Sequence, residues 1–181
     1  SLSGFNAERF GLAATTKNWH PVNLNSNSDY QKSHHSSNPG NQMSRSVMPT
    51  PEQLDALARS RLEGAIVMVN LLRFRERAAY GAGTAEAGEN LSGRAAYQRY
   101  GATALKCVLE AGGQIAWGGQ QEMVVIGDAT DEWDEVVCVR YPSRAAFLAM
   151  TDRPEYRAAL YHRDAGLERT ALLCCSAGTA A

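Results

Sequence analysis

The chain has 181 residues, with 18 basic side chains against 19 acidic ones, room for one ordinary domain and an extra segment at roughly 100–200 residues per domain. Near-neutral charge gives no electrostatic pull toward nucleic acid or an anionic membrane. No apolar run approaches the ~20 residues that span a bilayer, and no basic-then-apolar leader opens the sequence, so a cytoplasmic protein is expected.

Residues 1–47 differ in character from the rest. They hold most of the asparagines, His34 and His35, and two of the three lysines. No period of 2 or 3.6 persists there, and short apolar clusters at Phe5, Phe10 and Trp19 can dock on a surface but cannot build a core. The segment reads as an extension outside the core: an appended tail, a remnant of expression or an upstream in-frame addition, with Met48 as a natural start. A partner-binding arm is the functional alternative.

Order begins at Thr50-Pro51, an N-cap followed by proline at the first helical position, which predicts a short helix to about Arg61. Residues 65–74 then form the element around which the rest is organised. The run is apolar and mostly β-branched or large, as in a strand covered on both faces, and Asn70 alone breaks its middle. A Gly/Ala/Glu-rich stretch continues to Asn90 and predicts a mobile loop. Ser92 caps a helix through about Ala111, closed by Gly112-Gly113. Residues 114–126 predict a long strand bent at Gly118-Gly119, with Ile115 and Trp117 on one face. A turn at 127–131 leads to a strand over 133–141. Pro142-Ser143 starts a helix holding Phe147, Leu148 and Met150, and residues 151–154 break it. A further helix from Pro154 carries Tyr156, Ala159, Leu160 and Arg163, and residues 170–175 form the last strand.

From residue 65 the order is strand, helix, strand, strand, helix, strand. Strands two and three form a hairpin, and right-handed crossovers then give a ferredoxin-like split βαβ arrangement, an α+β fold over residues 48–177 with helices on one face of an antiparallel sheet. Both strand faces carry apolar residues while the helices cover only one. The bare face calls for a second copy, so a homodimer is expected.

An ordered set of segments carries a family resemblance: Val67-Met-Val-Asn-Leu-Leu-Arg-Phe74, Tyr97 with Tyr100, Gly112-Gly113, Trp133-Asp134, Arg140-Tyr-Pro-Ser-Arg-Ala-Ala-Phe147, Pro154-Glu-Tyr156 and His162-Arg163. Together they resemble the domain of unknown function 1330 family over residues 65–173. The resemblance implies a dimeric α/β barrel, a fold shared with small monooxygenases, muconolactone isomerases and haem-handling relatives. It implies no activity.

Asn70 is the most suggestive residue, because an amide inside an apolar strand must satisfy its hydrogen bonds. It would suit orienting a ligand carbonyl, or else bond a neighbouring loop or helix end. His162 is the only histidine after residue 47 and so the natural general acid–base, although its polar neighbours also suit a surface histidine. Arg163 would pair with a carboxylate inside the domain or clamp an anionic ligand. Arg73 ends the central strand and could face a pocket mouth. Tyr97, Tyr100, Trp117, Trp133 and Tyr141 could line an aromatic pocket or serve as core, and Trp133, following a turn, could simply anchor the hairpin.

The four cysteines, Cys107, Cys138, Cys174 and Cys175, lack C-x-x-C spacing and read as small core residues of a reducing compartment. On a strand, Cys174 and Cys175 would point to opposite faces. One histidine and no cysteine pair predict no metal site. Neither a phosphate-binding glycine loop nor a Gly-x-Ser-x-Gly elbow is present, so no cofactor is expected; haem through His162 would rest on fold analogy alone. The expected function is a pocket between sheet and helices acting on a small aromatic or carbonyl compound by cofactor-free proton transfer or oxygenation. Asn70 and Arg73 would orient the compound and His162 would move protons. The alternatives are a binding module without turnover and a purely structural dimer.

Overall fold

The period-2 alternation of a half-buried strand is visible along β1 (Ile66–Phe74) in the computed structural model, which describes residues 47–178; expectations for residues 1–46 lie outside the described residues. Ile66, Met68, Leu72 and Phe74 are buried on one face, while Val67, Val69 and Leu71 are half-buried on the other. The remaining elements are α1 (Pro51–Arg59), α2 (Gly93–Glu110), β2 (Gln114–Gln120), β3 (Glu135–Tyr141), α3 (Arg144–Thr151), α4 (Pro154–Gly166) and β4 (Leu167–Ser176). The sheet order is β2-β3-β1-β4, with every neighbouring pair antiparallel. The crossover through α2 skips over β3 and the crossover through α3 and α4 skips over β1, which is the ferredoxin-like split βαβ fold.

Local chemistry sets the helix ends. Thr50 and Gln53 form a reciprocal capping box on α1, and the hydroxyls of Ser92 and Ser143 accept from Ala95 N at 3.2 Å and Ala146 N at 3.1 Å. Gly112 closes α2 in the left-handed region at φ 73°. Gly166 serves a different need. A Cβ there would lie 2.5 Å from the Gly93 carbonyl oxygen and 2.9 Å from Tyr97 N, so α2 and α4 meet backbone to backbone at this point.

The structure departs from expectation in four places. The 75–90 segment is held rather than loose: Arg75 N donates to Gly166 O at 2.9 Å, Ala79 N to Ala165 O at 2.8 Å, and Ala78 N to Leu91 O at 2.8 Å. Strand β2 stops at Gln120, because β3 begins only at Glu135 and offers nothing to pair with beyond it; Met123, Val125 and Ile126 are exposed. The irregularity falls between Ile115 and Trp117, not at the glycines. One extra residue reverses the facing of every side chain beyond it, so Ile115 and Trp117 point to opposite sides. Finally, β4 begins at Leu167, ahead of Thr170.

The helix-covered face carries the core. The open face presents Val67, Val69, Leu71, Val136, Cys138 and Leu173, with Trp117 57% and Leu173 50% exposed. Cys174 packs under the helices beside Met68, whereas Cys175 lies on the open face beside Val67.

Candidate functional site

The core is interrupted at Asn70. Its neighbours across the sheet are Val137 and Leu172, and it shares the helix-covered face with Met68 and Leu72. On one side Ile66 and Met68 pack with Tyr141, Phe147 and Met150. On the other, Leu72, Phe74 and Leu167 form a separate cluster. Half-buried Val137 touches both clusters, and Leu172 on the other flank is 39% exposed. Asn70 Nδ2 donates to Met68 O at 3.3 Å and Val137 O at 3.0 Å, so both N–H groups are engaged by strand carbonyls rather than by a loop or helix end. What Asn70 has left to offer is the Oδ1 acceptor, which suits a ligand hydroxyl or N–H and not a ligand carbonyl.

Helices α2 and α4 bring phenols over this break. Tyr97 stands edge-on to Phe74 at 5.3 Å and beside Tyr100 at 5.3 Å. The hydroxyls of Tyr100 and Tyr156 hydrogen-bond at 2.9 Å. Tyr141, from β3, packs edge-on against Phe147 at 5.3 Å. Among the described residues neither the Tyr97 nor the Tyr141 hydroxyl has a hydrogen-bond partner. Burial pushes both phenols well above the usual tyrosine range, which keeps them protonated and able to donate. Among the described residues the one fully enclosed side-chain polar atom without a partner is Arg75 Nε; the Tyr97 and Tyr141 hydroxyls therefore each touch space that water can reach. Trp117 is not part of this cluster, because the bulge turns it to the open face.

Arg163 is buried, at 8% exposure. It lies one turn beyond Ala159, which packs with Tyr100, and three residues before Gly166, which backs onto Tyr97. Its Nη1 donates to the Val47 carbonyl and lies 3.7 Å from Met48 Sδ. No carboxylate among the described residues pairs with it, which corrects the expected internal ion pair.

His162 faces the 75–90 segment. Its Nδ1 and the Tyr80 hydroxyl are 2.7 Å apart, its ring lies against Tyr161 at 4.0 Å, and Tyr161 donates to Glu86 at 3.0 Å. Burial lowers its pKa, opposed by nearby Glu86. Arg73 sits at the end of β1 and pairs with Asp134 at 3.3 Å. Asp134 also accepts from Phe74 N at 2.6 Å and donates its own N–H to Leu72 O at 2.7 Å. Arg73 lines a groove of about 600 Å³ with Arg94, Trp133 and residues 120–124. Both cations at its mouth are neutralised, since Arg94 pairs with Glu135 at 2.6 Å. The Trp133 ring lies under the Arg169 guanidinium of β4 at 4.1 Å, and its backbone N–H donates to Gln121 Oε1 at 3.1 Å.

The three expected catalytic residues thus stand in three separate settings, while Asn70, Tyr97, Tyr100, Tyr141 and Arg163 share the sheet–helix layer. The sequence does not single out Tyr156 or Tyr80 as site residues. Tyr156 shares the α4 stripe of Ala159 and Arg163 at helical spacing, a signal that could have found it. Nothing local marks Tyr80 as the partner of His162. Among the described residues no group of His, Cys, Asp or Glu is placed to hold a metal ion, and no helix is long and apolar enough to cross a membrane.

A four-stranded antiparallel sheet of this order, backed by helices on one face, defines a protein of the ferredoxin-like α+β class. Within that class the chain belongs to the family described as Domain of unknown function (DUF1330), whose model matches residues 87–176. Crystal structures of the RPA0582 protein are similar throughout the domain. The methylated form is 36% identical, with a TM-score of 0.69 over 76% of this chain and 98% of that one. A second structure, a protein of unknown function from Rhodopseudomonas palustris, is 35% identical, with a TM-score of 0.66 over 74% of this chain and 98% of that one. No curated protein matches the chain.

Proposed function

We propose that the protein is a homodimer that binds a small molecule in the break of its core around Asn70, between sheet and helices. The observation that carries the ligand is the pair of unpartnered hydroxyls, on half-buried Tyr97 and buried Tyr141, beside an amide with a spare acceptor. Both hydroxyls reach space that water can enter, so a ligand group seated there would exchange a water contact for a hydrogen bond without first opening the core. Phenols and an amide converging from otherwise apolar packing are the kind of lining that orients a small molecule. The dimer is supported by the open face, an apolar sheet surface that the chain's own helices leave uncovered.

Binding is better supported than turnover. Proton transfer by His162 draws no support from a ring held by Tyr80 in another setting. The test uses two flat phenols, 4-hydroxybenzoate and 4-hydroxybenzamide, titrated into purified protein by calorimetry alongside the Asn70→Ala and Tyr141→Phe variants. Binding of at least one probe, weakened about tenfold by either substitution as expected for a lost buried hydrogen bond, is the expected result. Absence of binding by both, or binding indifferent to both substitutions, would overturn the proposal.

A further inference from the structure

We infer that the ligand of this seam is a small carboxylate carrying a hydroxyl or other donor at its far end, with its anionic group seated on Arg163. The inference rests on the binding site proposed above and adds the charge of what binds. Arg163 is a guanidinium in a nearly closed environment, and no acidic side chain among the described residues forms an ion pair with it; the neighbouring acid that feels its charge, Asp164, is exposed. Burying a charge without a contacting carboxylate is expensive, and the usual remedy of shedding the proton is closed to arginine. The protein supplies one neutral acceptor, the Val47 carbonyl, to Nη1, with the soft Met48 sulfur beside it. Nε and Nη2 have no partner among the described residues, yet neither is sealed off from water-sized space. Two parallel N–H groups of that kind match a carboxylate.

The surroundings favour an organic acid over a bare inorganic anion. Tyr97 is placed beside Arg163 through Gly166, three residues along α4, whose missing side chain lets the Tyr97 backbone approach. The phenol there is a neutral donor. The Arg163 charge is felt at both Tyr97 and Tyr100. The rings of Tyr97, Tyr100 and Tyr156 stand at steep angles to one another and form walls against which a flat apolar body can lie. Asn70 Oδ1, on the strand below, accepts from the other end. Cation, phenols and lone acceptor therefore ask for an anion, a flat apolar middle and a donor.

The experiment compares 4-hydroxybenzoate with 4-hydroxybenzamide, which differ in charge and hardly in shape, by calorimetry on the full chain. Wild type should bind the acid about tenfold or more tightly than the amide, the range for a charge-assisted contact replaced by a neutral one. Arg163→Met should bring the two within about twofold by weakening the acid alone. Should Arg163→Met fail to fold, Arg163→Lys keeps the charge and loses the fork, and should retain a reduced preference for the acid. Equal affinity of wild type for both probes overturns the anionic assignment, whatever the variants do. If Asn70→Ala weakens both probes equally in that case, the seam remains a binding site and only the charge inference falls. If neither probe binds, both fall.

Discussion

The proposed dimer can be tested at one position, Val69. It lies at the middle of β1 on the open face, between Cys138 on β3 and Leu173 on β4, and contributes nothing to the helix-covered core. Two sheets packed face to face stand about 10 Å apart, so the midplane at Val69 would hold only opposing apolar side chains. Val69→Asp places a carboxylate there, too short to escape past a flanking strand about 4.8 Å away. An uncompensated buried charge costs about 3–5 kcal/mol, and twofold symmetry puts two of them in each dimer. Even at about 6 kcal/mol in total, the dissociation constant rises about 10⁴-fold, at 1.4 kcal/mol per tenfold. Sedimentation equilibrium at micromolar protein should therefore find a dimer for wild type and a monomer for Val69→Asp, with the far-ultraviolet circular dichroism of the two alike. Val69→Thr, uncharged and of similar volume, should remain largely dimeric. A monomeric wild type, or a Val69→Asp protein that stays dimeric at those concentrations, would refute the reasoning.

Substitutions on the helix-covered side have expected outcomes of their own. Tyr141→Phe should leave stability unchanged or raise it by up to about 1 kcal/mol, because the hydroxyl it removes is unpartnered. Tyr100→Phe should cost about 1 kcal/mol by stranding the Tyr156 hydroxyl, and urea denaturation distinguishes the two. Gly166→Ala drives a methyl group into the backbone at Gly93 and Tyr97 and should cost about 1–3 kcal/mol or more, read as a lowered melting temperature. Asp134→Ala removes an acceptor from Phe74 N as well as from Arg73 and should cost about 1–2 kcal/mol, whereas Arg73→Ala, breaking only a half-exposed ion pair, should cost less than about 1 kcal/mol. His162 has a folded-state pKa below its ordinary value, so the unfolded chain takes up its proton first as pH falls. The stability it contributes is complete above about pH 6.5 and is lost on acidification from there toward the lower folded value. The urea midpoint should fall between pH 7.5 and 5.5 in wild type and fall less in His162→Asn; an equal fall in both would discard this account.

The strands and helices that the sequence marks clearly are those whose signals are local. The apolar run of β1, the capping residues Thr50, Ser92 and Ser143, and the left-handed Gly112 depend on neighbours a few residues away. Asn70 stands out because one polar side chain in an apolar strand breaks a simple pattern. What escaped the sequence depends on distant partners. Met123 to Ile126 has strong strand propensity, but β3 starts too late to pair with it. Trp117 changes face because of one inserted residue that alternation cannot anticipate. Arg163 reads the same whether its partner is a carboxylate or the Val47 carbonyl, and the 75–90 segment is ordered by contacts to α4 that its own composition does not reveal. The packing need for glycine at 93 and 166 exists only once two helices have crossed.

Because successive side chains of a strand point to opposite faces, β1 can serve two tasks without compromise between them. Its even-numbered residues face the helices and include Asn70; its odd-numbered residues face outward and include Val69. A slip of one residue in register would exchange the two sets, and β1 is guarded against it by ladders on both sides and by Asp134, which binds the Leu72 carbonyl and the Phe74 N–H at one end. The two tasks should therefore be separable. Substitutions at Val69 should alter association and leave ligand affinity within about twofold, while those at Tyr141 should do the reverse, as for sites that share no partner. Had the binding residues and the association surface lain on the same face, a monomeric variant would necessarily lose its ligand. Here a monomeric Val69→Asp protein should still bind a ligand of the Asn70 seam.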